Sequence, residues 1–290
     1  MTKTGILIAH QGVKVLVKLG SEEIAFAIKR RSDLVVGDEV KIEGDRPIGL
    51  SRRNLLKRMT PYGLQNIAAN LDGVGIVIAQ MPPTSHLFID QVIIAARKEN
   101  IAPFIIVNKI DLATTTEIIE SLQKDFAPEI PIIAVSAKNE LGLSKLREYL
   151  KELGRGVLVG VSGVGKSSLL NALTGEYFQK TGSTVDKDRH GAHTTSQAVL
   201  YHLQSGGELI DSPGLRDFEP PHLLPSDVAH FFLGFSQFLR QPCRFNNCLH
   251  VSEPDCVIKN AVKSGAIQKH RYENYLELLT ASQQSTGLKK

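Results

Sequence analysis

Nine consecutive residues, Gly160-Val161-Ser162-Gly163-Val164-Gly165-Lys166-Ser167-Ser168, carry the spacing G-x-x-x-x-G-K-[ST] of a phosphate-binding loop. The chemistry follows from the residue types. Glycines let the backbone wrap so that successive N–H groups point inward at phosphate oxygens. A helix starting at the same place adds a partial positive charge. Lys166 would reach the β- and γ-phosphates, and the Ser167 hydroxyl would ligate Mg²⁺. A glycine-rich turn ahead of any helix would mimic the spacing. Here, however, the apolar run 156–159 reads as a buried strand and 168–173 as a helix start, the context the motif requires.

Two further motifs address a base. Asn108-Lys109-Ile110-Asp111 has the form N-K-x-D, and Ser136-Ala137-Lys138 follows one strand later. These are the guanine-reading motifs of GTPases. Asp111 can accept hydrogen bonds from guanine N1–H and N2–H₂. Adenine lacks that donor pair and would leave the carboxylate unpaired, which a hydrogen-bonding site rejects by about 10⁴-fold or more. Asn108 can reach the base's other edge, the Lys109 stem can cover the ring, and the Ala137 N–H can meet O6. Asp211-Ser212-Pro213-Gly214 has the form D-x-x-G. Asp211 would hold Mg²⁺ through water, and the Gly214 N–H would sense the γ-phosphate. Between phosphate loop and D-x-x-G, residues 175–196 are rich in glycine and charge, and a loop this long is usually functional or disordered. It ends in His193-Thr194-Thr195-Ser196, where Thr194 or Thr195 would complete the Mg²⁺ shell. Leu215 follows the D-x-x-G glycine where many GTPases place a water-positioning glutamine. An apolar side chain cannot orient water, so His193 is the local candidate.

A separate cluster reads Cys243-x₄-Cys248-x-His250-x₅-Cys256. Three thiolates and an imidazole fill a tetrahedral Cys₃His set, which favours one structural zinc over a catalytic one. The helices expected around it, 226–240 and 264–280, offer a small core that a metal would supplement.

The elements that position these groups fall into three expected domains. Residues 1–65 hold short β-rich runs, 5–9, 13–17, 23–28 and 38–42, punctuated by glycines, as in a small OB-fold barrel. Its basic residues Lys29, Arg30, Arg31, Arg46, Arg52, Arg53, Lys57 and Arg58 would suit a phosphate backbone. Residues 51–70 read as a link broken at 60–63. Residues 66–225 alternate strands and helices as a parallel sheet with helices on both faces. Residues 226–290 form the zinc-binding domain, mostly helical.

Charge is uneven over the 290 residues. Net charge is +5 over 1–70, −4 over 71–225 and +3 over 226–290, which suggests a polyanion touched by both ends. No run of 18 apolar residues and no long apolar leader appear, so a cytoplasmic protein without a membrane span is expected. A monomer is expected.

The motifs are out of the conventional order: N-K-x-D and S-A-K precede the phosphate loop. Re-cutting a surface loop leaves sheet and site intact, so the order reads as a circular permutation. The D-x-x-G loop then leads straight into the C-terminal segment. With 36–38, 53–54, 67–72, Ser264-Gly265, Arg271-Tyr272 and the cysteine cluster, this order closely resembles the RsgA/YjeQ family of small-subunit-dependent GTPases. The resemblance implies an OB-fold, a circularly permuted GTPase domain and a zinc domain. It also implies GTP and GDP as ligands, binding to the small (30S) ribosomal subunit and its rRNA late in assembly, subunit-stimulated GTP hydrolysis, and a hydrolytic role for His193. Ser196 replaces the family's usual third threonine. Two other readings are a GTP-gated rRNA scaffold with incidental hydrolysis and a metal-delivery GTPase.

Overall fold

The computed structural model describes residues 3–30, 32–112, 115–127, 129–175, 197–215 and 218–285. The first five strands are β1 (Thr4–Gln11), β2 (Lys14–Leu19), β3 (Glu22–Ala27), β4 (Glu39–Glu43) and β5 (Arg46–Gly49). β1 pairs with both β2 and β4, β2 with β3, and β4 with β5, all antiparallel. β3 also lies against β5. The ring β1-β2-β3-β5-β4-β1 is a five-stranded, partly open barrel of OB type, as expected. Leu7, Val15, Val17 and Val40 fill it.

Residues 51–70 are a correction. Instead of a link they form a hairpin, β6 (Leu55–Thr60) with β7 (Gly63–Ala69), a two-stranded sheet of its own. Three of the arginines expected to meet phosphate make hydrogen bonds within the molecule. Arg52 binds buried Asp38 with Nε to Oδ1 at 2.6 Å and Nη2 to Oδ2 at 2.8 Å. Arg53 binds Asp72 Oδ1 at 2.9 Å and the Asn70 carbonyl at 2.9 Å. Arg58 Nε donates to Gln65 at 2.9 Å. Lys29, Arg30 and Arg46 are exposed on the barrel, and Arg31 lies outside the described residues.

β8 (Gly73–Ile78), β9 (Ala102–Val107), β10 (Ile132–Ala134) and β11 (Arg155–Val159) pair in parallel, joined on the other side by β13 (Glu208–Asp211). All six residues of β8 are buried, because a parallel strand covered on both faces reads as a continuous apolar run. Alternate side chains serve two cores. Ile76, Ile105 and Val157 meet α1 (His86–Lys98) and α2 (Thr115–Phe126) through Ile89, Val92, Ile93 and Leu122. Val77, Ile106 and Leu158 meet α3 (Leu143–Leu153) and α4 (Lys166–Thr174) through Leu146, Leu150, Leu169 and Leu173. β12 (Ala198–His202) runs antiparallel to β13 and also antiparallel to β1. The barrel and the parallel sheet are therefore one eleven-stranded hydrogen-bonded surface.

The C-terminal part holds α5 (Pro225–Phe231), α6 (Val257–Lys263) and α7 (Lys269–Ser285). The helix expected over 226–240 is shorter: Phe232 turns to extended backbone and Gly234 takes the left-handed region at φ 86°. The helix expected over 264–280 begins later, since Gly265 at φ 77° separates α6 from α7. Its core is shared. Ile94 and Ala95 of α1 pack with Val228, Phe232, Phe235, Ile258 and Tyr275. Arg271 of α7 forks onto Asp90 of α1 at 2.7 and 2.8 Å, both residues buried.

Candidate nucleotide site and metal centre

β11 delivers the phosphate loop between β8 and β13, at the C-terminal end of the parallel strands where such sheets bind ligands. Gly160 and Gly165 have φ of 153° and 96°. A side chain at Gly160 would strike the Val77 carbonyl, and one at Gly165 the Asn108 amide. Only glycine fits either place. α4 begins at Lys166 with Gly165 as its cap. Lys166 Nζ donates to the carbonyls of Gly160 at 2.6 Å and Val161 at 3.0 Å, so the ammonium already lies over the loop. Val164 is buried in the core, while Ser162, Gly163, Ser167 and Ser168 are exposed. Ser167 and Asp211 line one small cavity with Lys166. A hydroxyl and a carboxylate oxygen beside a phosphate loop are a donor set that fits a hard cation such as Mg²⁺.

The N-K-x-D residues follow β9 and the S-A-K residues follow β10. Asn108 is buried and bonded at both ends of its amide: Nδ2 donates to the Val164 carbonyl at 2.9 Å, and Oδ1 accepts from the Ala137 N–H at 3.1 Å. It ties the phosphate loop to the S-A-K turn, a role the sequence pattern does not announce. Lys109 sits in the left-handed region at φ 64° and sends Nζ to the carbonyls of Met81 and Gly163, both at 2.7 Å. Its stem is thereby drawn across the site. Ile110 anchors the turn through its N–H to the Val135 carbonyl at 3.2 Å. Asp111 Oδ1 accepts from the Ser136 hydroxyl at 2.6 Å, and Ser136 is fully buried. That hydrogen bond holds the Asp111 carboxyl below the usual aspartate range; exposed Lys138, and Lys109, act in the same direction. Asp111 is thus a carboxylate acceptor at neutral pH.

In the D-x-x-G stretch Gly214 is buried and its N–H faces the Ser212 hydroxyl at 3.4 Å. Leu215 is buried in the core and borders the cavity of Lys166, Ser167 and Asp211, but its apolar side chain cannot orient water. His193, Thr194 and Thr195 lie outside the described residues.

The four zinc candidates converge. Their ligand atoms lie within 4.8 Å of one another. His250 Nδ1 stands 3.6, 3.4 and 3.3 Å from the sulfurs of Cys243, Cys248 and Cys256. A tetrahedral zinc with its usual bond lengths places nitrogen and sulfur ligands about 3.5 Å apart, so the donor set fits. Burial pushes the Cys248 thiol up to about 12 and raises that of Cys256, and it lowers His250. A bound cation would offset that cost to the thiolates. The loop is braced from outside. Glu253 accepts from the N–H groups of Leu249, Val251 and Ser252 at 2.8, 2.8 and 3.0 Å. Tyr272 and Tyr275 of α7 each donate at 2.6 Å, to the His250 and Leu249 carbonyls. Sequence spacing alone does not single out Glu253.

The fold and the motif order together define a phosphate-loop GTPase of permuted connectivity. The family description "RsgA GTPase" matches residues 49–221. A Pseudomonas fluorescens protein named small ribosomal subunit biogenesis GTPase RsgA is 36% identical, covering 98% of this chain and 87% of that one. One of the same name from Shewanella oneidensis is 38% identical over 93% of this chain and 73% of its own. The crystal structure of YjeQ from Thermotoga maritima matches with a TM-score of 0.76 at 30% identity, covering 97% and 98% of the two chains. YloQ, described as a circularly permuted GTPase, shares the fold with a TM-score of 0.72 at 22% identity. The chain belongs to the RsgA GTPase family, a family of GTP hydrolases that use GTP with Mg²⁺. Among the described residues no helix is long and apolar enough to cross a membrane.

Proposed function

We propose that this chain hydrolyses GTP to GDP and phosphate on the small ribosomal subunit late in its maturation, with the subunit stimulating turnover. The observation that carries the reading is Asn108, which clamps the phosphate loop and the guanine-reading turn into one site. The names of the relatives supply the subunit as partner. In this reading the loop 160–168 cradles the phosphates, and Lys166 leaves the loop carbonyls for the β- and γ-oxygens. Asp111 with Ser136, Ala137 and Lys138 selects guanine, and the Lys109 stem covers the ring. Ser167 and Asp211 would hold Mg²⁺, which neutralises charge on the transferred phosphoryl group. Gly214 senses the γ-phosphate, Thr194 or Thr195 closes the metal shell, and His193 positions the attacking water. One structural zinc sits on Cys243, Cys248, His250 and Cys256.

The domain division that goes with this is 1–65 for the RNA-facing barrel, 66–225 for the GTPase and 226–290 for the zinc domain. We place the protein in the cytoplasm as a monomer that meets rRNA through its basic flanks. GTP turnover measured against small-subunit concentration tests the reading: saturable stimulation is expected, and a flat response would refute it. Asp111→Asn should move preference from GTP toward xanthosine triphosphate, and unchanged specificity would remove the base assignment. His193→Ala with full turnover on the subunit would end that residue's assignment.

A further inference from the structure

The D-x-x-G glycine rests on the β6–β7 hairpin. A Cβ added to Gly214 would lie 2.5 Å from Ile67 Cδ1 and 3.3 Å from Arg58 Nε, so the loop backbone is pressed against both side chains with no gap. Arg58 Nη1 donates to the Gly214 carbonyl at 3.3 Å, while its Nε is aimed by Gln65 Oε1 at 2.9 Å. A third tie lies just downstream, where the Met59 N–H donates to the Glu219 carbonyl at 2.9 Å. Beyond its own two strands the hairpin is held by a parallel bridge between Ala68 and Val36 and by Leu56 and Ile67 in the core. One of the segments it rests against is the one that carries the γ-phosphate sensor.

We propose that Arg58 is a positioning residue that restrains Gly214 in the arrangement where its N–H faces Ser212, and so couples the hairpin to the nucleotide's γ-phosphate. This rests on the γ-phosphate role given to Gly214 above. For that N–H to reach a phosphate, the 213–214 peptide must turn and Gly214 must leave its seat on Ile67 and Arg58. A contact made in one arrangement and lost in the other shifts the balance between them by its own strength and no more. Arg58 therefore opposes GTP but not GDP, and the effect is reciprocal: what moves the hairpin also moves Gly214.

The test is equilibrium binding of fluorescent GDP and of a non-hydrolysable GTP analogue to the full-length wild type, Arg58→Ala and Gln65→Ala. Arg58→Ala should tighten the GTP analogue relative to GDP by roughly fivefold, the scale of one charged hydrogen bond of mediocre geometry. Gln65→Ala, an exposed and mild change, should move the ratio the same way by less. It keeps the test open if the arginine variant fails to fold. Hydrogen exchange at the Met59 amide should quicken in the wild type when the GTP analogue replaces GDP, a response that Arg58→Ala should blunt. A ratio unchanged within twofold in the folded variants, or one shifted toward GDP, would overturn the role of Arg58. Wild type that bound neither nucleotide would overturn both this and the function proposed above.

Discussion

Arg271→Ala should be among the most damaging single substitutions outside the nucleotide site. The Arg271 guanidinium forks onto Asp90 at 2.7 and 2.8 Å, with the two side chains only 7% and 1% exposed. Its Cζ lies 4.9 and 4.8 Å from the ring centroids of Phe126 and Phe232. Removing the cation strands a carboxylate that burial already pushes above its ordinary range, with the Arg271 hydrogen bonds as the main opposing effect. Breaking one partner of such a pair costs about 3–5 kcal/mol, much of it the uncompensated charge. At about 2–4 °C per kcal/mol for a chain of this size, the thermal midpoint should fall by roughly 6–20 °C.

The sign of the pH dependence follows. Without Arg271, Asp90 titrates still higher in the folded state than in the unfolded chain, so the protonated form favours folding. The deficit should therefore shrink as pH falls from 7 toward 5. His86 and Asp125 also face this pocket, Asp125 receiving His86 Nδ1 at 3.1 Å and His270 Nε2 at 2.7 Å. The control is Asp90→Asn alone, which must not show the same acid recovery. The double variant Asp90→Asn, Arg271→Met removes both charges and should recover most of the loss. Scanning calorimetry of the four proteins at pH 5 and 7 decides it. An Arg271→Ala midpoint within about 2 °C of wild type, or a deficit that grows in acid, would refute the reasoning.

Asn108→Ala should weaken GDP by roughly ten- to a hundredfold, since it leaves the Val164 carbonyl and Ala137 N–H without their buried partner; calorimetric titration with GDP measures it. Ser136→Ala removes the hydrogen bond that depresses Asp111. Affinity carried by the carboxylate is present above its pKa and lost as pH falls through it, so the acid loss of GDP binding should begin at higher pH in the variant. Glu253→Gln trades a carboxylate that collects three N–H groups for a neutral amide. Zinc affinity should drop by about 10–100-fold in a chelator competition, with GDP binding unchanged.

The parallel sheet and its motifs are legible because their physics is local. β8 and β9 are unbroken apolar runs, as is β11 after Arg155, and Gly160 and Gly165 of the phosphate loop sit where no other residue fits. The β6–β7 hairpin hides for the opposite reason. Lys57, Arg58, Gln65 and Asn66 give neither strand an alternating apolar face. The pairing of β12 with β1 joins Ala9 to Val199 and His10 to Ala198, a separation that no window of sequence contains. One missed feature did leave a trace. α1 is apolar nearly all round, with Ile89, Val92 and Ile93 in one core and Ile94 and Ala95 in another. A helix without a polar face has neighbours on two sides, and here the second is the C-terminal domain. The motif string names Asn108, yet its amide also closes the site's framework, which the string does not convey.

The seam between β12 and β1 sets a limit on how this molecule can be cut. Ala9 and His10 are paired with Val199 and Ala198, so a GTPase fragment begun after residue 65 would leave that end of β12 without its partner strand. Raw strand edges recruit other chains. Such a fragment would tend to clump or swap strands, and its sluggish turnover would say nothing about RNA. Any dissection meant to isolate the catalytic part must carry the barrel with it.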